Sequence, residues 1–251
     1  MKRKIKKIII MIIIFLIVFC IYIKTNNNKI NYVALGDSLA AGQTPYKQIG
    51  YGYSDYVSNY LKENKLLNNY TKDFAESGHR TTDLINDINN NKKIKINNKN
   101  QGIKTILRDA DLVTLSVGAN DIFYKLGIRN MNTNIEDIND VYKYIDDTMK
   151  DLEILIVQIQ KYFKKDLILV GYYNPVIDSE YSRQIEPTFN YLKEKSIELS
   201  KKYNFTYVDI YEIFKENPEY LPNPSDIHPS NKGYEVIASQ IIDIIEKNII
   251  R

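Results

Sequence analysis

Ser38 stands in "ALGDSLAAG" at the end of an apolar run, and the 251 residues contain only two histidines, His79 and His228. A serine hydroxyl becomes a useful nucleophile only when a base removes its proton. His228 is the candidate base, because "SDIHPSNKG" places Asp226 two residues before it. A carboxylate there can orient the imidazole and stabilise its charged form. The chemistry open to such a set is acyl transfer, which also needs donors for a developing oxyanion. Asn120 in "SVGAND" offers a side-chain amide, and Gly78 in "ESGHRTTDL" offers a backbone N–H that is approachable without a Cβ. Each feature alone has a plainer reading. Ser38 could be a helix N-cap, Gly78 and Asn120 turn residues, and D-x-H-P a surface turn before a helix.

Positioning these residues falls to an alternation of strands and helices. Strand patterns cover 30–36, 70–77, 112–117, 166–173 and 205–210, the third being the strongest buried run. Helical spacing covers 53–64, 81–89, 102–109, 135–163, 186–203 and 233–249. Residues 89–101, "NNNKKIKINNKNQ", read as a solvated basic surface loop. Five strands separated by helices imply βαβ units, right-handed crossovers and a mostly parallel sheet covered on both faces. Ligand sites in such open sheets form at the carboxyl ends of the strands. Ser38 follows the first strand, Gly78 the second and Asn120 the third, so the three should converge.

In this order and combination, "GDS", "SG", "G-x-N-D" and "D-x-H-P" make the chain resemble the SGNH family of GDSL-type esterases and lipases, over nearly all of residues 31–245. The resemblance implies a flavodoxin-like three-layer α/β/α sandwich with an about five-stranded, mostly parallel sheet. It implies Ser38 as nucleophile, His228 as general base and Asp226 as the orienting acid. The oxyanion donors would be the N–H groups of Ser38 and Gly78 and the side-chain amide of Asn120, with Asp37 and Asp121 holding turns. The family's usual acid stands three residues before the histidine, where this chain has Ser225. A family branch with D-I-H-P shares the shorter spacing, and a Ser–His dyad aided by a backbone carbonyl stays open. Ala40 breaks the G-x-S-x-G nucleophile elbow, which argues against an ordinary α/β-hydrolase. His79 has no obvious acid partner nearby in sequence and reads as a site-lip residue without base duty.

Hydrophobic residues at 44% and charged residues at 26% suit a globular core. Residues 1–29 hold seven of the 34 basic residues and no acid, leaving 27 basic against 31 acidic groups, a net −4, in residues 30–251. The domain therefore gives no electrostatic reason to expect nucleic acid. A cationic start and the sixteen apolar residues 8–23 read as an N-terminal signal anchor or signal peptide within 1–24. A polar linker (25–29) and the catalytic domain (30–251) follow, with the domain expected outside the membrane, or secreted if the segment is cut. Cys20 lies within that segment, so the domain lacks thiol chemistry. No cysteine cluster or histidine pair suggests a metal, and no cofactor is expected.

Candidate substrates are acyl lipids, lysophospholipids and O-acetyl glycans, with residues 43–53 and 121–137 rimming the pocket. The alternative is a non-catalytic extracellular module binding glycan or phosphate, although the Gly-Asp-Ser loop lacks the glycines and lysine of phosphate loops. A monomer is expected, since no heptad pattern appears.

Overall fold

A computed structural model describes residues 11–15, 29–96, 98–128, 137–176 and 180–249. From Ile30 the chain runs through β1 (Ile30–Gly36), α1 (Ser38–Ala41), α2 (Tyr53–Glu63), β2 (Leu67–Ala75) and α3 (Thr81–Asn89). It continues through β3 (Lys93–Ile96), β4 (Lys99–Gly102), α4 (Ile103–Asp109), β5 (Leu112–Ser116), α5 (Ala119–Lys125) and α6 (Ile138–Tyr162). The last part comprises β6 (Asp166–Val170), α7 (Glu180–Tyr203), β7 (Thr206–Val208), α8 (Tyr211–Glu216), a 3₁₀ turn (Pro218–Tyr220) and α9 (Asn231–Asn248). The main sheet has the order β2-β1-β5-β6-β7, and every neighbouring pair is parallel. The expected α/β/α sandwich is therefore the observed fold.

Side-chain alternation explains the three layers. Strand residues point in turn to opposite faces, and here both faces are apolar. Val33 and Leu35 of β1, Val113 and Leu115 of β5, and Leu167 and Leu169 of β6 enter one core with α3, α4, α6 and α7. Tyr32, Ala34, Leu112, Ile168 and Val170 enter the other with α2, α8 and α9. Only a sheet buried on both sides tolerates such continuous apolar runs. Crossing from β1 to β2 and back to β5 brings the ends of the first three strands side by side, so the first strand is central rather than at an edge.

Several boundaries differ from the sequence reading. The stretch read as a surface loop contains the antiparallel pair β3–β4, Lys93 facing Gly102 and Ile96 facing Lys99. Ile94 and Ile96 pack against the core while Lys93 and Lys95 face solvent, a two-residue period hidden within a lysine- and asparagine-rich segment. The fourth and fifth strands are shorter than expected, ending at Val170 and Val208, where Gly171 N–H donates to Val208 O at 2.8 Å. Helix α7 begins at Glu180 and runs through Pro187. The proposed anchor lies outside the described residues except for 11–15, which are helical, and none of the described helices is long and apolar enough to cross a membrane.

Leu169 is fully buried in the central layer. Leu169→Ala should lower unfolding free energy by about 2–5 kcal/mol, through lost transfer energy and the cavity left behind, read as a fall in the urea midpoint.

Candidate active site

The position of Ser38 follows from the junction of β1 and β5. Gly36 ends β1 against Ser116 so closely that a Cβ would collide with the Ser116 carbonyl. Asp37 N–H then donates to Ser116 O at 2.8 Å, and Ser116 Oγ–H donates to Asp37 Oδ1 at 3.0 Å. The same carboxylate oxygen accepts from Leu39 N–H at 3.0 Å, so Asp37 caps α1 while Ser38 takes its first position. Small Ala40 and Ala41 let this short helix sit within the core. Ser38 is thus a helix-start residue, and that placement leaves its hydroxyl free to face a base from another part of the chain.

The candidate base is His228, whose Nε2 lies 2.7 Å from Ser38 Oγ across 190 positions of sequence. On the other side of the ring, Nδ1 lies 2.6 Å from Asp226 Oδ1. The same Oδ1 accepts from the His228 backbone N–H at 2.9 Å. This Asx-type turn accounts for the D-x-H spacing: one oxygen, two residues back, reaches both the main chain and the ring. Ser225, at the family's usual acid position, is exposed. The turn is held from outside, since Asn223 O accepts from Asp226 N–H at 3.0 Å and Asn223 Nδ2 donates to Pro45 O at 2.7 Å. Tyr173 OH donates to Ile227 O at 2.7 Å. Ser230 caps α9 just beyond, its Oγ accepting from Gly233 N–H.

The candidate oxyanion donors come from the next two strand ends. Gly78 follows β2 with φ of +84°, a left-handed conformation that favours glycine. Asn120 Nδ2 donates one hydrogen to His79 O at 2.9 Å, which leaves its second hydrogen for a ligand. Asp121 ties the same helix start to α3, accepting from Thr81 Oγ–H at 2.6 Å and Thr81 N–H at 3.0 Å. Burial raises the Asp121 carboxyl, against the Thr81 bonds that favour its charge. Ser38, Asn120 and His228 all line one cavity, while Gly78 stands outside its lining, joined to Asn120 through His79.

The sequence shows no obvious acid partner for His79, but in the structure Glu76 Oε2 lies 3.1 Å from its Nε2. The partner is three residues earlier, across the turn closed by His79 N–H to Glu76 O. Glu76, His79 and Asp87 bring ligand-type atoms within 4.8 Å of one another, a convergence not anticipated from the sequence. Lys92 Nζ already bridges Glu76 and Asp87 there, supplying the positive charge.

The cavity holds about 820 Å³ of empty space, counting its open mouth. Beyond the polar groups at the nucleophile its walls are apolar: Ile122 and Phe123 of α5, Val141 and Ile145 of α6, and Phe189 and Leu192 of α7. Residues 121–125, expected as rim, are helical and supply part of this wall, whereas 129–136 lie outside the described residues. Amphipathic spacing in 135–163 and 186–203 indicates that those helices bury a face, but cannot show that part of it borders a cavity, and the short helix α5 is not anticipated from the sequence. Gln43 opens the stretch 43–53 expected as rim; its place against His228, 185 positions away, is not anticipated from the sequence.

A parallel sheet with Ser38 at one strand end, Gly78 and Asn120 at its neighbours and an Asp–His pair on a late loop is the arrangement expected of an α/β/α hydrolase acting on ester bonds. The chain matches the GDSL-like Lipase/Acylhydrolase family over residues 32–241 and belongs to it. It is 28% identical over 222 residues to the uncharacterized protein YpmR of Bacillus subtilis (strain 168), spanning 85% of this chain and 80% of that one. Among solved structures it is similar to the lipase Lip_vut3 from a goat rumen metagenome (TM-score 0.66, 21% identity, 84% of this chain and 95% of that one). It also resembles a variant of the acetylxylan esterase Axe2 from Geobacillus stearothermophilus (TM-score 0.61, 17% identity, 88% and 95%). These likenesses concern the fold.

Burial pushes the Asp37 carboxyl from 3.8 up to about 7, only partly offset by the Leu39 N–H and the Ser116 hydroxyl. A carboxyl raised on folding contributes most below its unfolded value, and that contribution is lost as pH rises towards the folded one. Asp37→Asn keeps an acceptor oxygen and cannot ionise. The variant should therefore gain about 2–3 kcal/mol on wild type between pH 5 and pH 8, measured as the difference in urea unfolding free energy.

Proposed function

We propose that the protein is a serine esterase that passes through an acyl-enzyme on Ser38 and accepts esters of apolar carboxylic acids. The observation that carries this reading is the unbroken relay from Ser38 Oγ to His228 Nε2 at 2.7 Å and from Nδ1 to Asp226 at 2.6 Å, at the head of an apolar cavity. Ser38 Oγ attacks the ester carbonyl while His228 Nε2 takes its proton, and Asp226 holds the imidazolium. The negative oxygen is received by the N–H groups of Ser38 and Gly78 and by the spare hydrogen of Asn120. Collapse expels the alcohol, which takes the proton back from Nε2. Water then repeats the cycle, giving up a proton to His228, and the acid leaves with Ser38 restored.

The walls of the cavity support an acyl chain in preference to a bare acetyl group, since each buried methylene gains roughly 0.8 kcal/mol. A binding module would have no need of a buried base in contact with a hydroxyl, so that alternative loses its support. The cationic start and apolar residues 8–23 support an N-terminal anchor that holds the domain outside the cell membrane. Fractionation of cells expressing the full chain tests this, and recovery in the soluble cytosolic fraction would refute it.

Residues 30–251 should hydrolyse p-nitrophenyl esters, with turnover rising from acetate towards longer chains, and Ser38→Ala should remove it. A folded wild type as inactive as Ser38→Ala would end the esterase reading. The triad reading predicts comparable losses of roughly 10²–10⁴-fold in kcat for His228→Ala and Asp226→Ala, whereas a much smaller loss in Asp226→Ala would identify a dyad. Val141→Phe should lower the ratio of laurate to acetate kcat/KM by roughly 10-fold or more.

A further inference from the structure

Gln43 follows the C-cap of α1 and is tied to the site at four points. Its N–H donates to Ser38 O at 2.9 Å, and its carbonyl accepts from Tyr234 OH of α9 at 2.7 Å. Both are main-chain bonds that survive a change of side chain. The carboxamide lies between two further groups. One end is hydrogen-bonded to Ser77 Oγ, immediately before Gly78, and the other stands 3.3 Å from His228 Nδ1.

The chemistry of the ring decides which end of the amide faces it. At 2.6 Å from Asp226 Oδ1, Nδ1 must carry the proton, since the carboxylate has none to give. A carboxamide N–H pointed at Nδ1 would set donor against donor. A primary amide keeps its shape when its oxygen and nitrogen exchange places. Turned about its last torsion, Gln43 presents Oε1 to Nδ1–H and Nε2–H₂ to Ser77 Oγ, and a hydroxyl accepts as readily as it donates. All four polar groups are then matched.

We propose that Gln43 is a positioning residue of the catalytic base: its Oε1 shares the His228 Nδ1 proton with Asp226, while its Nε2 ties the base to the loop that carries Gly78. The second acceptor matters most when the ring is charged, because a hydrogen bond to the charged form favours that form. It also complements an acid confined to the D-x-H turn, whose Oδ1 is already shared with the His228 backbone N–H. Through Ser77 the same amide links the proton acceptor to the oxyanion side of the site, so the two halves of the first step move as one unit.

The inference rests on the esterase reading for its effect on turnover, but the contact itself can be tested without it. The titratable and charged groups on the segments that meet His228 or Gln43 are Asp226 on the His228 loop, Asp37 before α1, Tyr173 after β6, Tyr234 on α9, and Glu76 and His79 on the Ser77 loop; Gln43→Leu leaves all of them in place. With only two histidines, the ring titration of His228 can be followed directly by NMR, assigned by its loss in His228→Ala. Removing the acceptor in Gln43→Leu should move that titration to lower pH, and Gln43→Glu should move it to higher pH. In turnover, Gln43→Leu should lose roughly 10-fold in kcat with little change in KM, as one charge-assisted hydrogen bond is lost. Asp226→Ala with Gln43→Glu should recover at least roughly 10-fold of the kcat lost in Asp226→Ala alone, because a carboxylate again faces Nδ1. Gln43→Met, closer in shape, repeats the first arm should the leucine variant unfold. An unmoved His228 titration in Gln43→Leu and Gln43→Met would overturn the proposal. Ester turnover that is absent in wild type and Ser38→Ala alike would instead overturn the esterase reading and leave the titration to decide the role of Gln43.

Discussion

Where β1 meets β5, the chain passes within van der Waals distance of its neighbour, and no side chain fits at Gly36. Asp37 then closes two hydrogen bonds with Ser116 and one with Leu39, fixing the first turn of α1. Ser38 has no freedom left in its main chain after that. The clamp is costly in one respect, because it buries a carboxyl whose ionisation the surroundings resist. A hydroxyl aimed at a base within 3 Å tolerates little drift, and proximity is worth much of a reaction barrier. Desolvation of that carboxyl accompanies the placement of Ser38.

Around the clamp, each remaining part of the site is held by a bond to something other than its catalytic partner. Asp226 and His228 are set by Asn223 and Tyr173, Asn120 by the His79 carbonyl, and the α5 start by Thr81 through Asp121. The groups that would touch substrate are therefore positioned before substrate arrives. Preorganised donors of this kind stabilise developing charge without having to reorganise during the reaction. The apolar cavity extends the same logic to the acyl group, since much of its wall belongs to three helices, completed by Tyr172, Tyr173 and Pro175 of the segment after β6.

Much of this was legible in the chain. Strand and helix alternation led to the parallel sheet, because buried runs and 3.6-residue periods survive in single segments. Ser38, Gly78 and Asn120 could be placed at strand ends by topology alone. The β3–β4 pair was missed because Ile94 and Ile96 are its only apolar signal among lysines and asparagines. The Glu76 partner of His79 was missed because a turn, not a helix, brings the two side chains together.

Sequence by itself determined the residue types that can do the chemistry, their order, and the strand ends on which three of them stand, since all of these are local properties of a segment or of the order of segments. Tertiary structure alone decided that Ser38 and His228 meet across 190 positions, that one oxygen of Asp226 serves both backbone and ring, that α5, α6 and α7 enclose an apolar cavity, and that Gln43 reaches His228. Such contacts depend on how far each helix slides and turns against the sheet. Those offsets come from packing the whole core at once, and no short stretch of sequence carries them.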